Sequence, residues 1–517
     1  MKISTNSNSS YKPTSSRKFS KIADYFWPIE SHELPKFMLI TLLMFSILGI
    51  QNLIRAMKDS VINTMVGTEL IAFLKFWGVL PAAFLITIIY VKLVSVMKGE
   101  NIFYLIMSIF LAFFCLFAFY LLPHYQYFHL SPEKAKGLIQ SFPNLKWFIL
   151  MLSNWSFSLF YIIAELWPNA IFALLFWQFV NKITTIEESK RFYPIFGLIG
   201  QTGLYLSGEF LQRLKVIDEY IIDRFNLVTH HSILSVQVVI LIVTALGIIA
   251  LFSFWLINNK ILDIATTESL QFKVKKHQMS LKESFYMIIG SRYIRLITIL
   301  LICYGIAINL VEGPWKAEAV SVYPTNTEFA AFQGGYIKYT GIFTILFVII
   351  GSNIVRKLGW FFAAIITPLM VLSTGLMFFI ISNFDFASTF IMLSFTLTDP
   401  IMMAITIGAV QNILSKSTKY TLFDSTKEMS YVPLDEELKT RGKAAADVIG
   451  TKLGKSASAF LQSIIFVIVP TATYHSISPF LMYVFIVICL IWIWAVIELN
   501  KEYKIACDTH KGQELFL

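Results

Sequence analysis

The stretch from Leu296 to Glu318, LITILLICYGIAINLVEGPWKAE, decides the fold class, because an almost continuous apolar run ends there in charged residues. A run of this length is enough for a helix to cross a bilayer. Glu312 and Lys316 are four residues apart, so they lie on one helical face in the order that favours pairing. A carboxylate at this depth is costly unless a cation or water reaches it. The stretch therefore predicts a membrane-spanning helix that carries part of a binding site.

The composition places the rest of the chain in the same class. Hydrophobic residues make up 56% of the 517 residues and charged residues only 14%, and long apolar runs recur along the chain. Transmembrane β-strands alternate apolar and polar residues over about ten positions, whereas these runs are continuous and rich in Leu, Ile and Phe. We therefore predict an all-α polytopic membrane protein rather than a soluble globular one.

Charge and residue spacing exclude several functional classes. The net charge of +10 is spread over short loops, which argues against a nucleic-acid partner. The four cysteines form no CxxC pair, and the eight histidines lie in loops, tails or at span ends. We therefore expect no metal and no other cofactor. Because no imidazole lies at depth, the sequence also argues against a histidine-dependent membrane enzyme.

Residues 147–181 make the span count ambiguous, because they form either one long helix bent at Pro168 or a tight hairpin. A single helix places the Lys-rich stretches 182–191, 260–282 and 416–443 on the side shared by both termini, as the positive-inside rule requires of the cytoplasmic side. The glycine-rich fifth span is expected to pack closely against other helices. The twelve predicted spans lie near 37–55, 70–97, 101–122, 147–181, 191–212, 232–257, 285–315, 329–355, 359–382, 386–414, 442–474 and 477–499.

The two halves of the chain echo each other. Asn52-Leu53-Ile54-Arg55 matches Asn309-Leu310-Val311-Glu312, and Arg191 with Gly200 matches Arg441 with Gly450 at nearly the same offset. We therefore predict two six-helix pseudo-repeats in a major-facilitator-like arrangement, with the site between them near the midplane. The predicted divisions are a disordered basic cytoplasmic tail at 1–30, an N-terminal bundle at 31–258, a cytoplasmic linker at 259–283, a C-terminal bundle at 284–500 and a cytoplasmic tail at 501–517.

Charged residues inside the spans indicate the substrate class, because more of them are cationic than anionic. Lysines are compact partners for phosphate groups, and buried glutamates can pair with those lysines while the site is empty. A purely structural ion pair is the alternative for Glu165, Lys338 and Asp399, and Lys75 could instead extend to the membrane surface. The candidate binding residues are Arg55, Lys58, Lys75, Glu165, Asn309, Glu312, Lys316, Lys338 and Lys455.

Two further features suggest roles beyond phosphate binding. Aromatic residues close to the buried charges could stack on a nucleobase, namely Phe73, Phe76, Trp77, Tyr161, Trp315 and Tyr339. Charged residues at the cytoplasmic ends of the spans could form a salt-bridge gate between the halves, although a solvated charged face is the alternative. The candidate gate residues are Glu187, Arg191, Asp424, Lys427 and Arg441.

Several motifs in the same order resemble those of the non-mitochondrial ATP/ADP translocases, the nucleotide transporters of plastids and obligate intracellular bacteria. The similarity covers nearly the whole chain. Its most specific parts are Phe73-Leu74-Lys75 before Pro81, Ala164-Glu165-Leu166-Trp167, Asn309-Leu310-Val311-Glu312 with Trp315-Lys316, Phe423-Asp424-Ser425-Thr426-Lys427 with Pro433-Leu434-Asp435, and Leu453-Gly454-Lys455-Ser456.

The resemblance implies antiport of host ATP against internal ADP, by alternating access and without hydrolysis. It implies that Lys75, Glu165, Glu312 and Lys455 are required for exchange. The expected partners are ATP, ADP and membrane lipid, and the expected location is a bacterial inner membrane, with both termini cytoplasmic and the chain acting as a monomer. The sequence leaves three alternatives open: exchange of GTP, CTP or UTP, proton-coupled symport through Glu165 or Glu312, and a membrane-embedded transferase.

Overall fold

The computed structural model describes residues 29–225, 231–261, 281–383, 399–435 and 438–514. Helices connected by short turns make up these ranges, and they contain no strand. The predicted tail at 1–30 and linker at 259–283 lie largely outside the described residues, as does the first part of the predicted tenth span.

Twelve long helices account for the predicted spans. Among the described residues, nine are long and apolar enough to cross a membrane, and α5, α10 and α11 are long but more polar. The helices are α1 (Leu34–Met65), α2 (Leu70–Val96), α3 (Gly99–Leu121), α4 (Trp155–Ile183), α5 (Ile186–Gln212), α6 (His231–Ile261), α7 (Arg292–Val322), α8 (Asn326–Gly351), α9 (Asn353–Asn383), α10 (Pro400–Thr418), α11 (Lys443–Ile468) and α12 (Tyr474–Thr509).

The ambiguous stretch after residue 146 forms one span rather than a hairpin. A short helix, Lys146–Ser153, ends at Asn154, whose backbone leaves helical geometry. From Trp155 the chain stays helical to Ile183, and the turns after Pro168 widen into a π-helical segment, Pro168–Phe176. Proline removes a backbone hydrogen bond, which explains the altered helix at this point.

Two helices extend beyond their predicted ends through charged residues whose side chains are buried. The first span was predicted to end at residue 55, but α1 continues to Met65 and includes Lys58 and Asp59. The seventh was predicted to end at residue 315, but α7 continues to Val322 and includes Lys316. Charges normally mark the end of an apolar span, but these are buried within the protein.

The predicted repeat is visible in equivalent helix contacts. A methyl group at Gly200 in α5 would lie 3.3 Å from Leu48 in α1, and one at Gly450 in α11 would lie 2.8 Å from Leu301 in α7. In each half, therefore, the fifth helix approaches the first through a glycine. Small residues permit this close approach of helix backbones in a membrane.

The two halves meet along α5 and α8 over only part of their length. A methyl group at Gly208 would lie 2.5 Å from the carbonyl oxygen of Gly334, and one at Gly341 would lie 2.9 Å from that of Gln201. Nearer the start of α5, Gly197 has open space around it, with nothing within 4 Å of a methyl group placed there. The halves therefore separate toward the side where α1 begins and α12 ends, here called the terminal face, and stay closed toward the opposite face.

Replacing Gly454 with alanine should destabilise the packing of α11 on α7. The added methyl group would lie 2.9 Å from the carbonyl oxygen of Ile302, which is backbone and cannot rotate away. We expect a loss of about 1–3 kcal/mol in the free energy of unfolding, measured as a lower thermal transition in detergent. Gly197→Ala is the matched control, because its methyl group meets open space. Equal stability of the two variants would contradict the expectation.

Candidate functional site

A continuous chain of ion pairs crosses from one half to the other between α1 and α7. Asp59 in α1 uses both carboxylate oxygens: Oδ1 lies 2.7 Å from Lys58 Nζ, and Oδ2 lies 2.8 Å from Lys316 Nζ. All three side chains are at most 4% exposed. Two buried cations therefore share one carboxylate, and one of them belongs to the other half.

The chain of ion pairs continues at both ends. Glu312 Oε1 lies 2.9 Å from Lys316 Nζ, and Glu312 Oε2 lies 3.2 Å from Lys75 Nζ. Lys75 also donates a 2.6 Å hydrogen bond to Asn309 Oδ1. At the other end, Lys58 Nζ lies 3.1 Å from Glu165 Oε2.

The resulting ion-pair network balances three lysines against three carboxylates. Since removing one partner of a buried ion pair leaves an uncompensated charge, the members stabilise one another. Its members are Lys58, Asp59, Lys75, Glu165, Glu312 and Lys316.

Five predicted residues are thus members of the network, and a sixth, Asn309, accepts a hydrogen bond from one of them. Glu165 pairs with Lys58, while Glu312 pairs with both Lys75 and Lys316. Asp59, the residue that joins the halves, was missed because the predicted span ended before it. The adjacent Lys58-Asp59 pair, one turn beyond Arg55, was the signal that could have identified it.

Arg55 and Lys455 differ from the network lysines, because neither forms an ion pair with any residue that the structure describes. Arg55 lies within electrostatic reach of Glu165, Glu312, Tyr336 and Tyr420. Lys455 interacts electrostatically with Glu165, and its side chain is accessible to solvent in the separation between the halves. Two cations are therefore available to an anionic ligand without breaking the ion-pair network.

Two predicted charges lie outside this cluster. Lys338 lies where α8 meets α5, with its Nζ 2.7 Å from Glu209 Oε2 and 3.1 Å from Gln212 Oε1. A structural ion pair therefore fits its position better than substrate binding. The prediction of a buried Asp399 at the centre of the tenth span is wrong. Asp399 is exposed and caps the start of α10 by accepting a 3.1 Å hydrogen bond from the Ile401 amide.

Most of the aromatic residues proposed to stack on a base are occupied by protein packing. Phe73, Tyr161 and Trp315 are fully buried. The Tyr161 ring lies 4.0 Å from Lys58 Nζ, and Trp315 donates a hydrogen bond to the carbonyl oxygen of Ile405. Phe76 contacts Phe460 of the other half, with 4.7 Å between ring centroids. These rings close the site in this conformation instead of lining it.

Three of the five candidate gate residues form ion pairs within their own halves. Arg191 in α5 pairs with Glu30 and Glu33, which precede α1. Lys427 lies 3.1 Å from Asp447 Oδ1, and Asp424 lies 2.9 Å from Lys419 Nζ. Glu187 is exposed, and Arg441 makes interactions within the chain. A gate between the halves stays a prediction for a conformation in which the terminal face is closed.

Hydrogen bonds join the two halves at the opposite face. Ser60 in α1 donates a 2.6 Å bond to the carbonyl oxygen of Asn326 in α8. The Asn326 side chain donates a 3.0 Å bond to the carbonyl oxygen of Ser232 in α6. Ser235, one turn further along α6, bonds to Thr327. These contacts close the opposite face.

The position of Asp218 predicts that this closure depends on pH. It lies in the helix Leu214–Phe225 between α5 and α6, is fully buried, and accepts a hydrogen bond from Ser235. Burial raises its pKa from 3.8 to about 6, and the bond from Ser235 offsets part of that rise. The closed state therefore binds a proton more tightly than a state in which Asp218 is solvated. That stabilisation is present below the ordinary pKa and is lost as the pH rises through about 6.

We expect acidification from pH 7.5 to 5 to favour closure of the opposite face, and Asp218→Asn to remove this pH dependence, because the amide does not ionise. The measurement is the distance between spin labels at the exposed residues Val216 and Ser321, in a variant whose four cysteines have been replaced. A wild-type distance distribution that is constant over this pH range would contradict the expectation.

Two of the cavities formed by described residues bear on the site. The one beside Lys75, Glu312 and Tyr474 has a volume of about 10 Å³, space for about one water molecule. A second cavity, of about 410 Å³, lies at the terminal face. It is named here the mouth pocket, and its lining includes Val348, Val355, Arg356, Tyr420, Thr421 and Ser425.

Solved structures with a similar fold are membrane transporters. A bacterial homologue of the iron transporter ferroportin, in an inward-facing state, has a TM-score of 0.60 at 13% identity and covers 91% of this chain and 99% of its own. A point mutant of the nucleoside transporter NupG has a TM-score of 0.53 at 10% identity, covering 90% and 99%. A D-xylose–proton symporter has a TM-score of 0.52 at 13% identity, covering 91% and 97%. The predicted major-facilitator-like fold is therefore confirmed.

Proteins found by sequence comparison share a much higher sequence identity with this chain. ADP,ATP carrier protein 4 of Rickettsia bellii is 66% identical over 94% of this chain and 93% of its own length. The protein of the same name from Rickettsia felis is 64% identical over 94% and 95%. ADP,ATP carrier protein 3 of Rickettsia bellii is 46% identical over 95% and 98%. The family model for the TLC ATP/ADP transporter matches residues 12–503. The chain has a transporter fold with a buried ion-pair network and matches the family model over nearly its whole length, so it belongs to the TLC ATP/ADP transporter family.

Proposed function

We propose that this transporter exchanges ATP for ADP across a bacterial inner membrane by alternating access, taking up host ATP and releasing internal ADP. The observation that supports it best is the division of the charged residues within the spans into two sets. The ion-pair network has no excess charge and joins the halves, whereas Arg55 and Lys455 carry uncompensated positive charge beside the open cleft. Relatives named ADP,ATP carrier proteins identify the nucleotide class.

In this proposal Arg55 and Lys455 bind the phosphates of a nucleotide that enters from the terminal face. Charge-assisted bonds from lysine and arginine to phosphate oxygens are stronger than those between neutral groups. The bound anion also competes with Glu165 and Glu312 for nearby cations, which weakens the ion pairs between the halves. Binding thereby lowers the cost of separating Asp59 from Lys316, and the opposite face can open while the terminal face closes.

Orientation and gating complete the proposal. The terminal face is cytoplasmic, so both termini lie inside the cell, and the ion pairs of Arg191 and Lys427 exchange partners when that face closes. The chain acts as a monomer, since both candidate phosphate ligands come from one chain. Nucleotide passes unchanged: these residues bind and release the polyphosphate and do not hydrolyse it.

The test is exchange in proteoliposomes that contain the purified chain. Vesicles preloaded with ADP should take up labelled ATP, whereas empty vesicles should not, and an imposed proton gradient should have little effect. Competition by ADP, GTP, CTP, UTP and inorganic phosphate then identifies the preferred substrate. Uptake into empty vesicles that follows the proton gradient would instead support proton-coupled symport. Absence of uptake under both conditions would reject nucleotide transport.

A further inference from the structure

The mouth pocket belongs to the cleft between the halves and not to the lipid-facing surface. α8 and the first residues of α9 form one continuous helix, which is interrupted at Gly359, whose φ is 84°. On this continuous helix, Val348 and Val355 are seven and fourteen residues beyond Gly341, so they lie on the same face. Gly341 packs against α5, and beyond it α5 moves away. The pocket therefore occupies the space that opens where the halves separate.

The size of the pocket suits part of a small molecule. Its volume of about 410 Å³ lies within the range of about 300–1,000 Å³ that is usual for ligand sites. The wall opposite α8 comes from the π-helical segment Lys419–Phe423 and the helix that follows it. A methyl group at Gly351 would lie 3.1 Å from Leu422, so close packing fixes this wall.

The residues of the pocket combine an aromatic ring with hydrogen-bond donors. Tyr420 is 44% exposed, and Lys419 Nζ lies 4.8 Å from its ring centroid. The Arg356 guanidinium is held by a 2.8 Å hydrogen bond to Asn353 Oδ1. Ser425 presents an exposed hydroxyl. An exposed aromatic ring can stack on any nucleobase. A guanidinium can donate a hydrogen bond to ring-nitrogen acceptors such as purine N7.

The pocket is also electrostatically connected to Arg55 and Lys455. Arg55 interacts with Tyr420 and with Glu165, and Lys455 interacts with Glu165, Arg55 and Lys419. Tyr420 thus lines the pocket and lies within electrostatic reach of Arg55. A ligand with an aromatic group at one end and a polyphosphate at the other would match both regions.

We propose that the mouth pocket binds the base and ribose of a purine nucleotide while Arg55 and Lys455 hold its phosphates. This inference rests on the proposed function, because it assigns the second part of the same ligand. Tyr420 stacks on the base, and Arg356 donates to a purine ring nitrogen. Lys419 lies against one face of the Tyr420 ring, so the other face is available to the base.

The experiment compares two inhibitors of labelled ATP exchange in proteoliposomes: unlabelled ATP, and inorganic tripolyphosphate, which has no nucleoside. We expect Tyr420→Ala to raise the half-inhibiting concentration of ATP about tenfold and to leave that of tripolyphosphate unchanged. Tyr420→Phe keeps the ring and should behave like the wild type. Arg356→Gln, at an exposed position, should raise the ATP value several-fold without disturbing the core. Tyr483→Ala, which removes an exposed tyrosine on α12, is the control.

Several results would overturn the inference. Unchanged ATP inhibition in both Tyr420→Ala and Arg356→Gln would exclude the pocket as the nucleoside site. Equal weakening of ATP and tripolyphosphate would indicate a general structural defect instead. Wild-type exchange that tripolyphosphate does not inhibit would contradict the division into two subsites. An effect of Arg356→Gln that follows the anionic lipid content of the vesicles would assign the pocket to lipid. Failure of the wild type to exchange any nucleotide would reject the proposed function itself.

Discussion

Alanine in place of Lys455 is expected to reduce nucleotide exchange by about two to three orders of magnitude. Lys455 forms no ion pair with a described residue and is accessible in the cleft, so its charge is free to contact phosphate. Removing it takes a charge-assisted contact from the bound nucleotide and leaves the protein's own ion pairs intact. We expect normal folding with strongly weakened transport, measured as initial exchange rates over a range of ATP concentrations.

Two companion variants make the Lys455 experiment decisive. Lys455→Arg retains the charge and should recover part of the lost activity, although a guanidinium has a different geometry. Lys136→Ala removes an exposed lysine from the helix Pro132–Ser141, away from the cleft, and should exchange like the wild type. Normal exchange by Lys455→Ala would exclude this lysine from the substrate site.

Alanine in place of Asp59 is expected to cost about 3–5 kcal/mol in stability, because it leaves the ammonium groups of Lys58 and Lys316 buried without their shared carboxylate. Both lysine side chains are at most 4% exposed and lie within 2.8 Å of Asp59. Because Asp59 and Lys316 belong to different halves, the loss should also favour opening of the opposite face. Thermal unfolding in detergent and exchange rates measure the two effects.

A charge exchange tests whether the Asp59–Lys316 contact itself has this role. Asp59→Lys and Lys316→Asp each place like charges together, and each single variant should be inactive. The double variant restores opposite charges and should recover part of both stability and exchange. Losses that simply add in the double variant would show that the two side chains act independently. Lys338→Ala, at an ion pair near α5, should have a much smaller effect, because its partner Glu209 is partly exposed.

Individual residues show which contacts could be predicted from the sequence and which could not. Glu312 and Lys316 were expected to pair because they are four residues apart in one helix, and their atoms lie 2.9 Å apart. The glycine-rich fifth span was expected to pack closely against other helices, and Gly200 and Gly208 approach α1 and α8. Lys75 and Glu312 are far apart in sequence, so their 3.2 Å contact could be identified only from the fold.

The surroundings of Asp399 and Lys338, in contrast, could not be predicted from the sequence. Both were predicted from position within an apolar stretch, which gives depth only approximately. Asp399 is exposed because α10 begins immediately after it, and Lys338 faces α5 instead of the central network. Tyr420, by contrast, gave no signal in the sequence, because its exposure depends on how far α5 and α8 separate.

The sequence by itself determined that this protein is an all-helical polytopic membrane protein, because hydrophobic runs of bilayer length and the bias of loop charges are local properties of the chain. It also identified most of the buried charges, since their cost in an apolar span is visible without a partner. Only the tertiary structure decided which charges neutralise one another and which remain available to a ligand. That choice depends on distances between helices from opposite halves, and no local pattern encodes those distances.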